Sequence, residues 1–171
     1  MKQQAFLEKI NPVKDKIYRL ALRLLISKEA AEDATQEIIF KLWARKDKLK
    51  DYTNVEAFAM TTTKNYCLDE LKAKKNNNLR IIHQNYENNS RSLQRELEVK
   101  DELYWIDRIV NDLPKQQKIV FQLRDIEQLE FDEILEITKM KPTAIRVALS
   151  RARKKIRESL TNKHNYGHKR S

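Results

Sequence analysis

Apolar residues recur at helical spacing through the first half of the chain. This pattern predicts helices over about 13–25, 29–44 and 53–75. Thr53 and Glu56 have the Thr-x-x-Glu spacing of a capping box, so we expect the third helix to begin there.

The helical pattern stops in an asparagine-rich stretch. Because asparagine favours turns over helix interiors, residues 76–93 are predicted to form a polar linker. Pro114 and Pro142 each suit the first position of a helix. The remaining predicted elements are helices over about 97–113, 114–125, 130–138 and 142–160, followed by a basic polar tail over 161–171.

Glycine is almost absent from the chain, which has one glycine and three prolines in 171 residues. Tight turns between strands need residues that tolerate positive φ, so this composition predicts an all-α fold. We expect two small helical domains, over 1–75 and 94–160, joined by the linker. The single glycine also excludes a phosphate-binding P-loop and a dinucleotide-binding fingerprint.

Cys67 is the only cysteine, which excludes an internal disulfide and a cysteine-based metal cluster. We expect it to be a small helix-packing residue in a cytoplasmic protein. The segment 1–10 is polar and charged, and the sequence has no apolar run of about 18 residues. We therefore expect neither a signal peptide nor insertion into a membrane.

Positive charge is concentrated at the C-terminal end. The net charge is +10, and the segment from Lys139 to Ser171 holds 11 Lys and Arg against one acid, Glu158. The rest of the chain is then balanced, with 24 residues of each sign (35 − 11 and 25 − 1). A concentrated basic block attracts phosphates or anionic lipids, although a solvated basic tail is the simpler alternative.

This basic block follows the pattern of a helix-turn-helix. A short amphipathic helix over 130–137 precedes a turn over 138–141, and a longer helix begins at Pro142. At about 100° per residue, one stripe of the longer helix is apolar and must face the core. That stripe comprises Ile145, Leu149, Ala152 and Ile156. The predicted DNA-reading face comprises Thr143, Arg146, Val147, Ser150, Arg151, Arg153 and Lys154.

Several segments resemble parts of the extracytoplasmic-function sigma factors of bacterial RNA polymerase. The segment 145–158, with Leu113-Pro114 and Glu133-Ile134 before it, resembles region 4 of that family. The segment 31–43 resembles the polymerase-binding helix of region 2. Segments 57–65 and 68–72 resemble the helix that recognises the −10 element. The match covers roughly 10–160, in order and at plausible spacing.

The resemblance implies a sigma factor that binds core RNA polymerase and directs promoter-specific initiation. Region 2 would dock on the clamp helices of the largest subunit, recognise the −10 element and help to melt it. Region 4 would read the −35 element and meet the flap of the second large subunit. The family implies an anti-sigma partner, and it implies neither a cofactor nor an enzymatic activity.

The resemblance also assigns roles to residues of region 2. The implied polymerase-binding residues are Asp33, Gln36, Glu37, Phe40 and Trp43. The implied −10 contacts are Lys64, Asn65, Lys72, Lys74 and Lys75. Asn65 can offer a donor and an acceptor to a base edge, but it could equally be a surface amide without a role. One of Phe40 and Trp43 is expected to lie in the core and the other to face the polymerase.

The sequence departs from the family pattern at three places. Lys139 stands where family members have glycine, so we expect a lysine in a strained left-handed conformation. Lys141 is a poor N-cap, and Glu130 is a candidate cap for the shorter helix instead. The stretch 61–63 is Thr-Thr-Thr where the family is more apolar.

Two other classes of function remain open from the residues alone. A helix-turn-helix regulator could act without binding core polymerase, but it would need a dimerisation or ligand domain in the first half. An enzyme or metal protein would need a cluster of suitable side chains. His164 and His168 have i, i+4 spacing without a third ligand nearby, and His83 is expected to be solvated in the linker, so we expect no metal site.

Overall fold

The computed structural model describes residues 1–81 and 102–168, with side chains described over 1–77 and 104–163. Within these ranges the chain is helical without strands, which confirms the all-α prediction. The helices are α1 (Gln3–Leu25), α2 (Lys28–Ala44), α3 (Val55–Ile81), α4 (Glu102–Asn111), α5 (Lys115–Phe121), α6 (Phe131–Thr138) and α7 (Pro142–His168). Residues 82–93 of the predicted linker, including His83, and the side chains of His164 and His168 lie outside the described residues.

Helix α1 begins at Gln3, well before the predicted start near Val13. The prediction was wrong at this end because the earlier apolar residues were not counted in the stripe. Phe6 and Ile10 are buried, and they continue the helical spacing of Val13 and Ile17 toward the N-terminus. Helix α1 packs against α2 and α3 along this stripe.

Asn54 caps helix α3. Its Oδ1 accepts a 2.9 Å hydrogen bond from the backbone N–H of Ala57, so the prediction that Thr53 caps this helix was wrong. The helix then continues through Ile81, into the segment predicted as linker. Extending an existing helix costs far less than nucleating one, and the asparagines after Lys75 therefore do not end it.

The second half of the chain follows the predicted order of helices. A π-helical turn over Gln122–Ile126 follows α5, and the two together span most of the predicted helix over 114–125. Helix α6 matches its prediction to within one residue, and α7 begins at Pro142 as predicted. Helix α7 then extends to His168, so most of the segment predicted as a polar tail is helical.

The two halves pack against each other around one apolar core. Buried residues from the second half complete the core that α1, α2 and α3 form, and they include Ile119, Val120, Leu123, Ile134 and Ile137. A smaller cluster lies within the second half and comprises Val110, Leu113, Phe121, Ala152 and Ile156. Helix α6 packs on α3, so the predicted helix-turn-helix lies against the first domain.

No helix among the described residues is long and apolar enough to cross a lipid bilayer.

Candidate nucleic-acid and protein interfaces

Helix α7 turns one face to the core and the opposite face to solvent. The buried residues are Ile145, Ala148, Ala152 and Ile156, and Leu149 is half-buried. The exposed residues are Thr143, Arg146, Val147, Ser150, Arg151, Arg153 and Lys154. The predicted division of this helix into two faces is therefore confirmed, and the DNA-reading role of the outer face stays a prediction.

The turn between α6 and α7 contains a left-handed residue that is not a glycine. Lys139 lies in the left-handed region, with φ 57° and ψ 17°, as the sequence predicted. This conformation costs a residue with a Cβ about 1–2 kcal/mol. Two hydrogen bonds offset part of that cost. The backbone N–H of Lys139 donates to the carbonyl of Leu135 at 3.0 Å, and that of Met140 donates to Oγ1 of Thr138 at 3.3 Å.

Two arginines of the outer face are held by contacts with neighbouring elements. Arg153 donates from Nε and Nη2 to the carboxylate of Asp125, at 2.9 and 2.6 Å. This hydrogen bonding raises the pKa of Arg153. The guanidinium of Arg146 lies 5.0 Å from the ring centroid of Phe131 at the start of α6. Arg146 is thus held against the start of α6, whereas Arg153 is paired with an acid in this arrangement.

A polar cleft of about 210 Å³ lies between α2 and α3, beside Asn65. Its lining combines apolar, aromatic and charged side chains, namely Lys41, Leu42, Arg45, Phe58, Thr62, Asn65, Tyr66 and Asp69. The ammonium of Lys41 lies 4.8 Å from the Tyr66 ring centroid. Desolvation raises the pKa of Tyr66, and the charges of Glu70 and Glu37 raise it further. The phenol therefore stays neutral and can offer both a ring face and an O–H donor.

The lysines predicted to contact the −10 element do not lie together. Lys64 is turned toward α6, where its Nζ donates to the carbonyl of Ile137 at 2.8 Å. Desolvation lowers the pKa of Lys64, and the nearby charge of Lys139 lowers it further. In contrast, Lys72, Lys74 and Lys75 are exposed along α3 beyond Asn65.

A second, largely apolar cleft of about 530 Å³ lies between α1 and α2. Phe40 is 65% exposed at its edge, and Trp43 packs edge-on against Phe6 with ring centroids 5.0 Å apart. Phe40 is therefore the exposed aromatic residue of the pair and Trp43 is partly core. The cleft residues are Gln3, Phe6, Leu7, Lys14, Thr35, Gln36, Ile39, Phe40 and Trp43.

The predicted polymerase-binding residues divide between the two sides of α2. Gln36, Phe40 and Trp43 line the apolar cleft. Asp33 and Glu37 instead lie near Tyr66 of α3, and their negative charges raise the pKa of its phenol. Both acids are exposed.

Sequence reasoning missed the contribution of α1 to the apolar cleft and of Tyr66 to the polar one. Phe6 and Leu7 fell outside the predicted helix, although the i, i+4 spacing of Phe6 and Ile10 was a usable signal. Tyr66 directly follows Asn65 in the sequence, but its half-buried position beside α2 depends on a contact that no local pattern reveals.

Two family models match the chain. Sigma-70 region 2 matches residues 10–77, and Sigma-70, region 4, matches residues 103–156. The chain belongs to the sigma-70 family of sigma factors. The resemblance inferred from the sequence is confirmed, and so is the prediction that the chain is not an enzyme, because sigma factors are transcription initiation factors. No curated protein matches the chain.

Two solved structures of sigma factors share this fold. The sigma factor RpoE from Bartonella quintana, solved with the anti-sigma factor NepR, is 18% identical, with a TM-score of 0.78 over 92% of this chain and 98% of that chain. CnrH, solved with the cytosolic domain of CnrY, is 16% identical, with a TM-score of 0.67 over 94% of this chain and 90% of that chain. At these identities the likeness concerns the fold alone.

Proposed function

We propose that this sigma factor is of the extracytoplasmic-function type and directs core RNA polymerase to promoters that carry −10 and −35 elements. The observation that carries the proposal is the exposed Phe40 at the edge of an apolar cleft in region 2. An exposed aromatic residue beside an apolar cleft is typical of a protein-binding hot spot. The dimer interface of a helix-turn-helix regulator would use the same chemistry, so the affinity for core polymerase decides between the two functions.

Region 4 would read the −35 element with the outer face of α7. Ser150 lies near the centre of this face and Arg146 lies at its flank, and both can reach base edges in a major groove. Arg151, Arg153 and Lys154 lie further along the helix and suit contacts with phosphates. Binding through this interface would be specific for a base sequence, and its affinity would fall strongly as the salt concentration rises.

Region 2 would hold and help to melt the −10 element at the polar cleft. Melting requires a site that captures an unstacked base, and such sites combine aromatic stacking with hydrogen bonds to the base edge. The cleft offers Asn65 for hydrogen bonding and Tyr66 for contact with a base. Lys72, Lys74 and Lys75 would follow the phosphates of the displaced strand.

We further infer two protein partners for this chain in the cytoplasm. The first is core polymerase, whose clamp helices would occupy the apolar cleft between α1 and α2 and whose flap would meet region 4. The second would be an anti-sigma factor, by analogy with RpoE, whose solved structure includes NepR.

The proposal is tested by the affinity of the full chain for core polymerase. Phe40→Ala should weaken this affinity by about 30-fold, as expected for a hot-spot aromatic residue. Ile26→Ala is the matched control, because Ile26 is 58% exposed and lies outside the cleft lining. Equal affinity of both variants and the original chain would overturn the proposed clamp contact.

A chain that binds promoter DNA but never binds core polymerase would instead be a helix-turn-helix regulator. The same titration distinguishes the two functions if −35 duplex binding is measured in parallel. The regulator alternative predicts full duplex affinity together with no polymerase complex at any concentration tested.

A further inference from the structure

A basic concavity of about 320 Å³ lies on α7. Its lining combines three arginines with one hydroxyl and one apolar side chain, namely Arg146, Arg153, Arg157, Ser150 and Leu149. Arginine donors suit two kinds of group on DNA, the acceptor edge of a base and the oxygens of a phosphate. Two of these arginines differ in how their donors are used in the free chain, and this difference indicates which group each one takes.

The donors of Arg153 are partly occupied. Its Nε and Nη2 atoms donate to the two carboxylate oxygens of Asp125, at 2.9 and 2.6 Å, so one edge of the guanidinium is already engaged in a bidentate contact. An uncharged base edge competes poorly with a carboxylate for this edge, whereas a phosphate carries a charge of its own. Arg153 is therefore suited to a phosphate contact.

Arg146 is held by an aromatic ring instead. Its guanidinium carbon lies 5.0 Å from the ring centroid of Phe131, within the range of a cation–π contact. This contact uses the charge of the guanidinium and leaves its N–H donors for a ligand. Arg146 is therefore the arginine of the concavity that suits a base edge.

Phe131 is itself fixed at the start of α6. It is half-buried, and it packs against the main apolar core. The capping box of Glu130 and Glu133 closes the turn in which it lies. The backbone just before it is held by Arg124, whose Nη1 donates to the carbonyl of Leu129 at 2.8 Å. A ring with so little freedom restricts the guanidinium that lies over it, which lowers the entropy cost of ordering that group at a base.

We propose that Phe131 is a positioning residue that holds Arg146 for the reading of one guanine in the −35 element. Guanine is the expected base, because the planar fork of an arginine matches its O6 and N7 acceptors in the major groove. Phe131 acts through Arg146 and makes no contact of its own with a base. The proposal rests on DNA reading by region 4, the part of the proposed function that does not involve core polymerase.

Selection from a library of duplexes with a randomised core tests the proposal on the full chain. The original chain should select a guanine at one position, and Arg146→Ala should lose this preference while the other selected positions remain. Arg146→Lys should lose it as well, because an ammonium keeps the charge but lacks the planar fork. Full guanine preference in Arg146→Lys would overturn the proposed reading, and this variant leaves the packing of Phe131 on the core untouched.

The positioning role is measured by the ratio of the dissociation constants for the selected duplex with adenine and with guanine at that position. Phe131→Leu should lower this ratio by about fivefold, in line with the strength of an exposed cation–π contact. Phe131→Tyr keeps the ring and should keep the ratio. An unchanged ratio in Phe131→Leu, or a loss of selectivity that is equal at every selected position, would overturn the proposal.

A double-mutant cycle separates positioning from direct contact with DNA. In the Arg146→Ala background, Phe131→Leu should cause no further loss of affinity for the selected duplex, because the ring has no guanidinium left to hold. The slope of log affinity against log salt should also be the same in Phe131→Leu as in the original chain, since no phosphate contact is removed. A further loss as large as that in the original chain would mean that Phe131 contacts the DNA itself, and it would overturn the proposal.

Trp105→Leu is the matched control. The guanidinium carbon of Arg108 lies 5.7 Å from the ring centroid of Trp105, and neither residue lines the concavity. The control should keep the guanine preference, and an equal loss in Trp105→Leu and Phe131→Leu would overturn the proposal. A chain that fails to bind core polymerase would disprove the sigma-factor function, while these duplex measurements would still decide the role of Phe131.

Discussion

The side-chain amide of Asn54 joins the first turns of two helices that belong to different regions. Its Oδ1 accepts from the backbone of Ala57 in α3, and its Nδ2 donates to Oε1 of Glu133 in α6. The other oxygen of Glu133 accepts from the backbone N–H of Glu130 at 2.8 Å and so closes the start of α6. Capping of the two helices and docking of the two regions are therefore coupled through one pair of side chains.

Asn54→Ala should destabilise the chain more than the loss of one helix cap. An N-cap contributes about 1 kcal/mol, and the lost bond to the Glu133 carboxylate adds to this cost. Urea unfolding measures the change in the free energy of unfolding. Asn54→Asp keeps a capping oxygen but places a carboxylate opposite Glu133, so it should also be destabilising. If Asn54→Asp restored full stability, capping alone would account for Asn54.

Arg146→Ala should weaken binding to a −35 duplex by roughly 5- to 150-fold, which corresponds to the loss of one specific base contact. Fluorescence anisotropy with specific and scrambled duplexes at one salt concentration provides the measurement. Arg108→Ala removes an exposed arginine from α4 and is the control. Loss of affinity that is equal for both duplexes would mean that Arg146 contacts phosphate and not a base.

Asp125→Asn should strengthen binding to non-specific DNA and make it more dependent on salt. The carboxylate of Asp125 holds and partly neutralises Arg153 in the free chain. Without that charge, Arg153 can pair with a phosphate, and the slope of log affinity against log salt should steepen by about one. An unchanged slope would mean that Arg153 gains no phosphate contact when its pair with Asp125 is broken, and it would contradict this prediction.

Cys67 should resist alkylation in the folded chain and react on unfolding. Burial, with a smaller contribution from the charge of Glu70, raises the pKa of the thiol from 9.0 to about 12. Because the folded-state pKa is raised, its contribution to stability is complete below about pH 9 and is lost as the pH rises toward 12. Urea unfolding across this pH range should show that the free energy of unfolding falls more in the original chain than in Cys67→Ala. A thiol that reacts rapidly in the native chain at neutral pH would contradict this placement.

Local patterns were sufficient to predict the helix-turn-helix. The spacing of Ile145 and Ala152 defined the inner face of α7, and the position of Pro142 defined its start. The sequence also predicted a left-handed Lys139, because the turn requires that conformation whichever residue occupies it.

Contacts between distant residues could not be predicted in the same way. Arg19 and Glu127 lie 108 positions apart, and nothing in the spacing of either segment indicates a partner. The same limit applies to Lys64, whose predicted role in binding DNA gave no sign of its bond to Ile137. Helix ends were also less well predicted, because packing of Phe6 and Ile10 stabilises an N-terminal part of α1 that precedes the segment chosen from the pattern.

Reconstituted transcription tests the central claim most directly. The purified chain would be combined with core RNA polymerase and a library of promoter fragments, and specific transcripts would be counted with and without the chain. The account predicts initiation that depends on the chain, occurs at fragments with a shared −10 and −35 pair, and falls strongly in Phe40→Ala. Binding of the same fragments without any chain-dependent transcript would contradict the account.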